Sequence, residues 1–179
     1  VELWQDGAWS ALEPLDPPVA QHLSLVDRQG RLLVIGGSDE ATTNLVRALA
    51  RPGGAWEDLA PLWSAREDLA GGLLPDGRIA VFGGRPVHGS PDALPVREVE
   101  LLGLDGTWEL GNRQVQARYE GVTVPLSDGR IAVIGGHARS KVIQDVSVYS
   151  HLPKPKRVTV EDTAPPEEPP EAPTEAPTP

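Results

Sequence analysis

Residues 77–84 of this chain read Gly-Arg-Ile-Ala-Val-Phe-Gly-Gly, and near copies stand at residues 30–37 (Gly-Arg-Leu-Leu-Val-Ile-Gly-Gly) and 129–136 (Gly-Arg-Ile-Ala-Val-Ile-Gly-Gly). In each copy a tryptophan precedes the first glycine of the closing pair by 27 residues. The tryptophans are Trp9, Trp56 and Trp108, and the pairs are Gly36 and Gly37, Gly83 and Gly84, and Gly135 and Gly136. Three equal spacings indicate an internal repeat, whose period is 47 and then 52 residues.

The repeat unit is predicted to consist of short β-strands. An expected first strand at 22–26, 69–74 or 121–126 is followed by a polar turn and then by the apolar run. The run is apolar at consecutive positions, which predicts a strand buried on both faces. Third strands are expected at 96–102 and 142–149, and each tryptophan opens a fourth. Residues 38–50 have a helix-like pattern, but the repeat places a loop and a third strand there. A four-stranded unit of this kind is typical of a β-propeller blade.

The repeat resembles the kelch family. The motif Asp-Gly-Arg-Ile-x-Val-x-Gly-Gly stands at residues 76–84 and 128–136, and Tyr149 is an aromatic residue that closes a third strand. Leu102 replaces this tyrosine in the second copy, and Leu49 or Ala50 in the first. The resemblance covers about residues 1–150. It implies an all-β, kelch-type β-propeller with about three four-stranded blades plus the end of a preceding blade. The glycine pairs would allow close backbone approach where strands crowd together.

The repeat also predicts the division of the chain. We expect residues 1–17 to be the third and fourth strands of a preceding blade, residues 18–65, 66–117 and 118–160 to be blades, and residues 161–179 to be a tail. Propellers usually close with about 4 to 8 blades. The remaining blades are therefore expected from the same parent chain, whose N terminus would supply the outer strand of the last blade, or from self-association.

Charge and composition exclude several classes of protein. The chain has 16 Lys and Arg against 26 Asp and Glu, a net charge of −10 that is poorly suited to nucleic acid or anionic membranes. It has no cysteine and no apolar run long enough for a transmembrane helix. Residues 164–179 contain only Pro, Glu, Ala and Thr, which predicts that 161–179 is a disordered tail or linker. Such a tail favours an extracytoplasmic location without fixing the compartment.

Arg66 and Arg118 are candidate ligand-binding residues. Each lies 10 residues after its tryptophan and just before a first strand, whereas Val19 stands at this position in the first copy. The kelch resemblance implies that such an arginine can point toward the binding face, where its guanidinium group would suit carboxylates or acidic peptides. The alternative is that both arginines bridge neighbouring blades through ion pairs or hydrogen bonds to carbonyl groups.

The loops after the glycine pairs supply the other candidates, because they differ most between copies and variable loops on a rigid scaffold carry specificity. Arg85 and His88 lie in the second loop and His137 begins the third. No two histidines have metal-ligand spacing, and no nucleophile or phosphate-binding motif occurs. We therefore expect no catalytic residue, metal or cofactor. The copper site of kelch oxidases requires a cysteine, which this chain lacks.

These observations favour a non-catalytic kelch propeller that binds a protein, a peptide or a carbohydrate through its loops. One alternative is the C-terminal part of a propeller enzyme, similar to a sugar-acid mutarotase or an oxidase, with catalytic residues upstream. Another is an architectural module on an extended stalk, to which the proline-rich tail would be suited.

Overall fold

The computed structural model of the protein describes residues 1–90, 92–114 and 116–150. The tail expected at 161–179 and the end of the last expected blade lie outside these ranges. The described residues form fifteen β-strands and no helix, so no helix that could cross a membrane is present among them. The strands are β1 (Glu2–Gln5), β2 (Ala8–Ala11), β3 (Leu23–Val26), β4 (Leu32–Ile35), β5 (Val46–Leu49), β6 (Trp56–Asp58), β7 (Ala70–Leu73), β8 (Ile79–Phe82), β9 (Glu100–Leu102), β10 (Trp108–Leu110), β11 (Val122–Pro125), β12 (Ile131–Ile134), β13 (His137–Ala138), β14 (Lys141–Val142) and β15 (Val146–Tyr149).

The strands form antiparallel sheets in which most neighbours follow one another along the chain. β3 to β6 make a four-stranded sheet, here called blade A, and β7 to β10 make blade B. Blade C contains β11, β12 and β15. β1 and β2 form a separate hairpin, and β13 and β14 form a second hairpin within the loop that follows the last glycine pair. The first strands lie beside one another, since β7 contacts both β3 and β11, and they form the inner edge shared by the three blades.

The second strand of blade B shows why its sequence is apolar without interruption. Successive side chains of a strand point to opposite faces. Ile79 and Val81 therefore pack in the cluster that fills the space between blades A and B, whereas Ala80 and Phe82 pack in the cluster shared with blade C. Tyr149 closes the second cluster, with its ring edge-on to Phe82 at a centroid distance of 5.1 Å. Burial on both faces is thus the reason for the run.

The third strands differ in part from their expected positions. The strand expected at 96–102 is reduced to β9, because residues 96–99 bond to loops instead of to a ladder: the Val96 N–H donates to the Gly84 carbonyl at 2.9 Å, and the Val99 carbonyl accepts from the Gly111 N–H at 2.8 Å. The strand expected at 142–149 is divided into β14 and β15. Residues 38–50 contain a loop followed by β5 and no helix, as the repeat predicted.

The first two glycine pairs join one blade to the next. The Gly37 N–H donates to the Arg66 carbonyl and the Gly84 N–H donates to the Arg118 carbonyl, both at 2.9 Å. The residue before each donor, Gly36 or Gly83, has a φ of 62°. A Cβ atom on Gly36 would lie 2.7 Å from the Arg66 oxygen, and one on Gly83 would overlap the Arg118 oxygen. These two positions therefore require glycine both for its backbone angle and for the absence of a side chain.

Candidate functional site

Three short segments lead into the first strands and lie side by side at the inner edge. We call residues 19–21, 66–68 and 118–120 the lead-in segments. Their last residues, Gln21, Asp68 and Glu120, all have a positive φ of 53–55°. The Asp68 N–H donates to the Gln21 carbonyl at 2.8 Å, and the Glu120 N–H donates to the Asp68 carbonyl at 2.9 Å. These bonds place the side chains of the lead-in segments in a row that crosses the blade boundaries.

Arg66 is fully buried within this row. Its guanidinium group forms an ion pair with Glu100, which is itself buried, and donates to the Gly83 carbonyl at 3.2 Å. Glu100 also accepts from the backbone N–H of Trp63 at 2.7 Å, so its charge is held by several donors. Burial lowers the pKa of Arg66, and the negative charge of Glu100 partly offsets that effect. Because the Arg66 carbonyl bonds to blade A while its side chain bonds to blade B, this residue links the two blades.

Arg118 repeats the arrangement one blade later. Its side chain is 2% exposed and donates to the carbonyls of Gly135 and Asp145, both at 3.0 Å, and to the Ser147 hydroxyl at 2.8 Å. Neither Arg66 nor Arg118 presents its guanidinium group at the surface, so a ligand could reach these groups only by displacing internal bonds. The geometry is that of the bridging alternative and not that of direct ligand contacts.

A buried carboxylate, Glu67, follows Arg66 and organises the surface above it. Its side chain has no exposed surface. One of its oxygens lies 2.6 Å from Nδ1 of His88, and the other lies 3.0 Å from the Arg85 guanidinium and accepts from the Gly89 N–H at 3.2 Å. Arg85 also forms an ion pair with Asp68. The His88 side chain remains 41% exposed. The buried Glu67 carboxylate thus holds the His88 ring in place at the surface.

Tyr119, Glu120 and His137 extend this cluster onto the next blade. The Arg85 guanidinium carbon lies 4.7 Å from the centre of the Tyr119 ring, and that ring stacks on His137 at 5.6 Å. Nδ1 of His137 lies 3.0 Å from a Glu120 oxygen, without the alignment of a hydrogen bond. The Tyr119 hydroxyl donates to the Arg139 carbonyl at 2.7 Å and holds the β13–β14 hairpin in place.

The two acidic residues beside Arg85 have pKa values shifted in opposite directions. Burial alone would raise the pKa of Glu67, but hydrogen bonds from Ser38, His88 and Gly89, with the charge of Arg85, outweigh it and lower that pKa. Burial raises the pKa of Asp68, and its interactions with Arg85 do not fully compensate for this effect. Glu67 is therefore held firmly as a carboxylate, while Asp68 accepts a proton more readily than an ordinary aspartate.

The structure brings three of the five candidate residues together and separates the other two. Arg85, His88 and His137 lie in one cluster that crosses the boundary between blades B and C. Arg66 and Arg118 lie beneath it in the interior. Sequence reasoning missed Glu67, Asp68, Tyr119 and Glu120. The available signal was position, because each lies one or two residues after a repeat-related arginine.

Comparison with known proteins supports the fold. No model of a known protein family matches the chain, and no curated protein sequence matches it. The solved structure of the protein YjhT is similar, with a TM-score of 0.64 and 20% sequence identity over 78% of this chain. This chain has a β-propeller-like fold. The match covers 44% of the YjhT chain, so the protein described here spans less than half of that structure. At this level of identity the likeness concerns the fold alone.

Proposed function

We propose that this propeller-like protein is a non-catalytic binding module whose contact surface is formed by the lead-in segments and by the loops that follow the glycine pairs. One observation carries the proposal: a fully buried carboxylate, Glu67, pairs with the largely buried Arg85 and holds the half-exposed His88 in a fixed position at the surface. A buried charge is costly unless it is paired. Here the pairing orients polar groups toward solvent, as a preorganised recognition surface requires.

The composition of the surface favours a protein or peptide partner over a carbohydrate. Val87 and Leu94 lie in the same loop as His88, and their side chains are 54% and 64% exposed. They place apolar groups beside the polar cluster. Glu120 and His137 add an acceptor and a donor that are also partly exposed. A peptide that carries one apolar side chain between polar groups fits this mixture, since interfaces combine an apolar centre with a polar rim.

The test is selection from a displayed random peptide library, with a glycan array as the parallel arm. We expect the protein to enrich peptides and to ignore glycans. The variant H88A should lose the enriched peptides, whereas R130A, in the distant turn before β12, should retain them. If only glycans were enriched, the module would bind carbohydrate and not peptide. No enrichment in either arm would contradict the proposed function.

A second candidate function is proton-transfer catalysis on a sugar acid. The supporting observation is the Glu67–His88 pair, because a buried carboxylate that orients an imidazole is an arrangement used in general acid–base catalysis. The kelch resemblance makes mutarotation the reaction to test first. We expect interconversion of sugar-acid anomers, followed by NMR, to be faster with the wild-type protein and slower with E67Q. A rate equal to that of buffer would exclude this candidate.

A further inference from the structure

Blade C leaves one apolar face uncovered. In its register, Val122 lies opposite Ile134 and Val124 opposite Ala132, and these second-strand residues lie opposite Val146 and Val148. Directly opposed residues of an antiparallel sheet point to the same face. Five of these apolar side chains are between 39% and 63% exposed: Val122, Val124, Ile134, Val146 and Val148. We call this set the open face of blade C.

The equivalent faces of the other two blades are closed. In blade A the corresponding residues include Ile35, Val46 and Ala48, which are at most 1% exposed and pack against blade B. In blade B they include Phe82 and Leu101, which are 1% and 5% exposed and pack against blade C. The face that is open on blade C therefore corresponds to the face that, in blades A and B, packs against the following blade.

Backbone groups at the inner edge of the blades show the same difference between blade C and the other two blades. The Gly37 and Gly84 N–H groups donate to the lead-in segment of the following blade, and the Gln21 and Asp68 carbonyls accept from it. In the part of the chain that the structure describes, the Gly136 N–H and the Glu120 carbonyl have no such partner. Gly135 has a φ of 61°, and a Cβ atom there would meet nothing nearer than 3.9 Å. Among the described residues, none fills above Gly135 the space that Arg118 fills above Gly83.

Blade A carries the complementary groups on its opposite side. Val19 and Gln21 occupy the positions of Arg66 and Asp68, but the Val19 carbonyl has no glycine donor and the Gln21 N–H has no carbonyl acceptor in a preceding blade within the described residues. Ser24 occupies the position of Gly71, which lies against Leu23 of the preceding blade. Val122 of blade C occupies the position of Leu23. A docked copy would therefore bring its Ser24 against Val122.

We propose that the open face of blade C binds blade A of a second copy of this chain, head to tail. The Gly136 N–H donates to the partner copy's Val19 carbonyl, and the partner copy's Gln21 N–H donates to the Glu120 carbonyl. The interface repeats the two blade boundaries already present within the chain. The β1–β2 hairpin forms a ladder only with itself, so a docked copy would break no ladder between the hairpin and blade A. The three described blades of two copies add up to six, a number within the usual range of about 4 to 8 for a closed propeller. The result is a closed dimer.

The mass of the protein in solution, measured by sedimentation equilibrium, tests this proposal. We expect a dimer for the wild-type chain and a monomer for V148E, which introduces a charge on the open face at a side chain that is already 47% exposed. The matched control is L104E, in the turn between β9 and β10, whose side chain is 59% exposed and which should remain dimeric. A monomeric wild-type chain, or a dimeric V148E with an unchanged circular dichroism spectrum, would overturn the proposal.

Cysteine cross-linking tests the geometry of the dimer, because the natural chain has no cysteine. A mixture of the variants S24C and V122C should form a heterodimeric disulfide under mild oxidation, because the two positions meet across the proposed interface. A mixture of L104C and V122C should not. Equal cross-linking in both mixtures would contradict the head-to-tail arrangement even if a dimer forms.

Discussion

The first glycine of the first two pairs, Gly36 or Gly83, is required in part because a carbonyl of the next blade lies against it. Gly83 and Gly135 have the same backbone conformation, with φ angles of 62° and 61°. They differ in surroundings, since the Arg118 carbonyl lies directly over Gly83 and the nearest atom to a Cβ on Gly135 would be 3.9 Å away. Comparing Gly83 with Gly135 therefore separates two destabilising effects of a side chain that are normally combined. One is the strain of a left-handed backbone, and the other is the steric overlap with a neighbouring carbonyl.

Replacement of each glycine by alanine measures these costs. We expect G135A to lower the free energy of unfolding by about 1 kcal/mol, the cost of a left-handed alanine. G83A should lose about 2 kcal/mol or more beyond this, because the Arg118 backbone must shift. Urea denaturation measures both values. G83V should be more damaging still and should far exceed S90A, a change in an exposed loop. Equal losses for G83A and G135A would show that the Arg118 carbonyl does not set the requirement.

Glu67 should make stability depend on pH. Its pKa in the folded protein lies below the ordinary value of 4.5, so its charge stabilises the fold above that pH. The contribution is lost as the pH falls through the lowered pKa. We expect the unfolding free energy of E67Q to fall less steeply than that of the wild-type protein below pH 4.5. The control is E57Q, which alters an exposed residue of β6 and should keep the wild-type slope. Parallel curves for E67Q and the wild-type protein would contradict this assignment.

The fourth strands of blades A and B begin with tryptophans that are bonded differently. The Trp108 indole N–H donates to the Ala60 carbonyl at 2.7 Å. This bond connects β10 to the segment that joins blade A to blade B. The Trp56 indole N–H, at the equivalent position of β6, is buried without a partner among the described residues. The same residue type therefore contributes a bond in one blade and an unsatisfied donor in the other.

The variants W108F and W56F should separate these two roles. W108F leaves the Ala60 carbonyl without its donor, and we expect a loss of about 1 to 3 kcal/mol beyond the loss of ring contacts. W56F removes a donor that has no acceptor, so it should cost less. Thermal unfolding of the two variants gives the comparison. A larger loss for W56F would show that ring packing, not the hydrogen bond, determines the contribution of these residues.

The molecule as a whole is a row of blades with a weakly attached end. Blades A, B and C share two apolar clusters, whereas the β1–β2 hairpin contains the half-exposed Trp4 and Trp9 and makes its ladder only within itself. Amide hydrogen exchange follows local opening. We expect amides of β1 and β2 to exchange much faster than those of β8. Equal protection would mean that the hairpin is packed on another surface in solution.

The amino-acid sequence by itself determined the repeat, the β-propeller-like fold and the positions of most strands. These features depend on local patterns: runs of apolar residues, turns with glycine and constant spacings. Only the tertiary structure decided where the side chains of the lead-in segments point. Arg66 and Arg118 could have faced a ligand or the interior, and burial beside carbonyl groups and Glu100 settled their direction. The cluster around Glu67 joins residues up to 70 positions apart, from Glu67 to His137, through Arg85 and Tyr119. No local pattern specifies such contacts, because they arise only when adjacent blades pack.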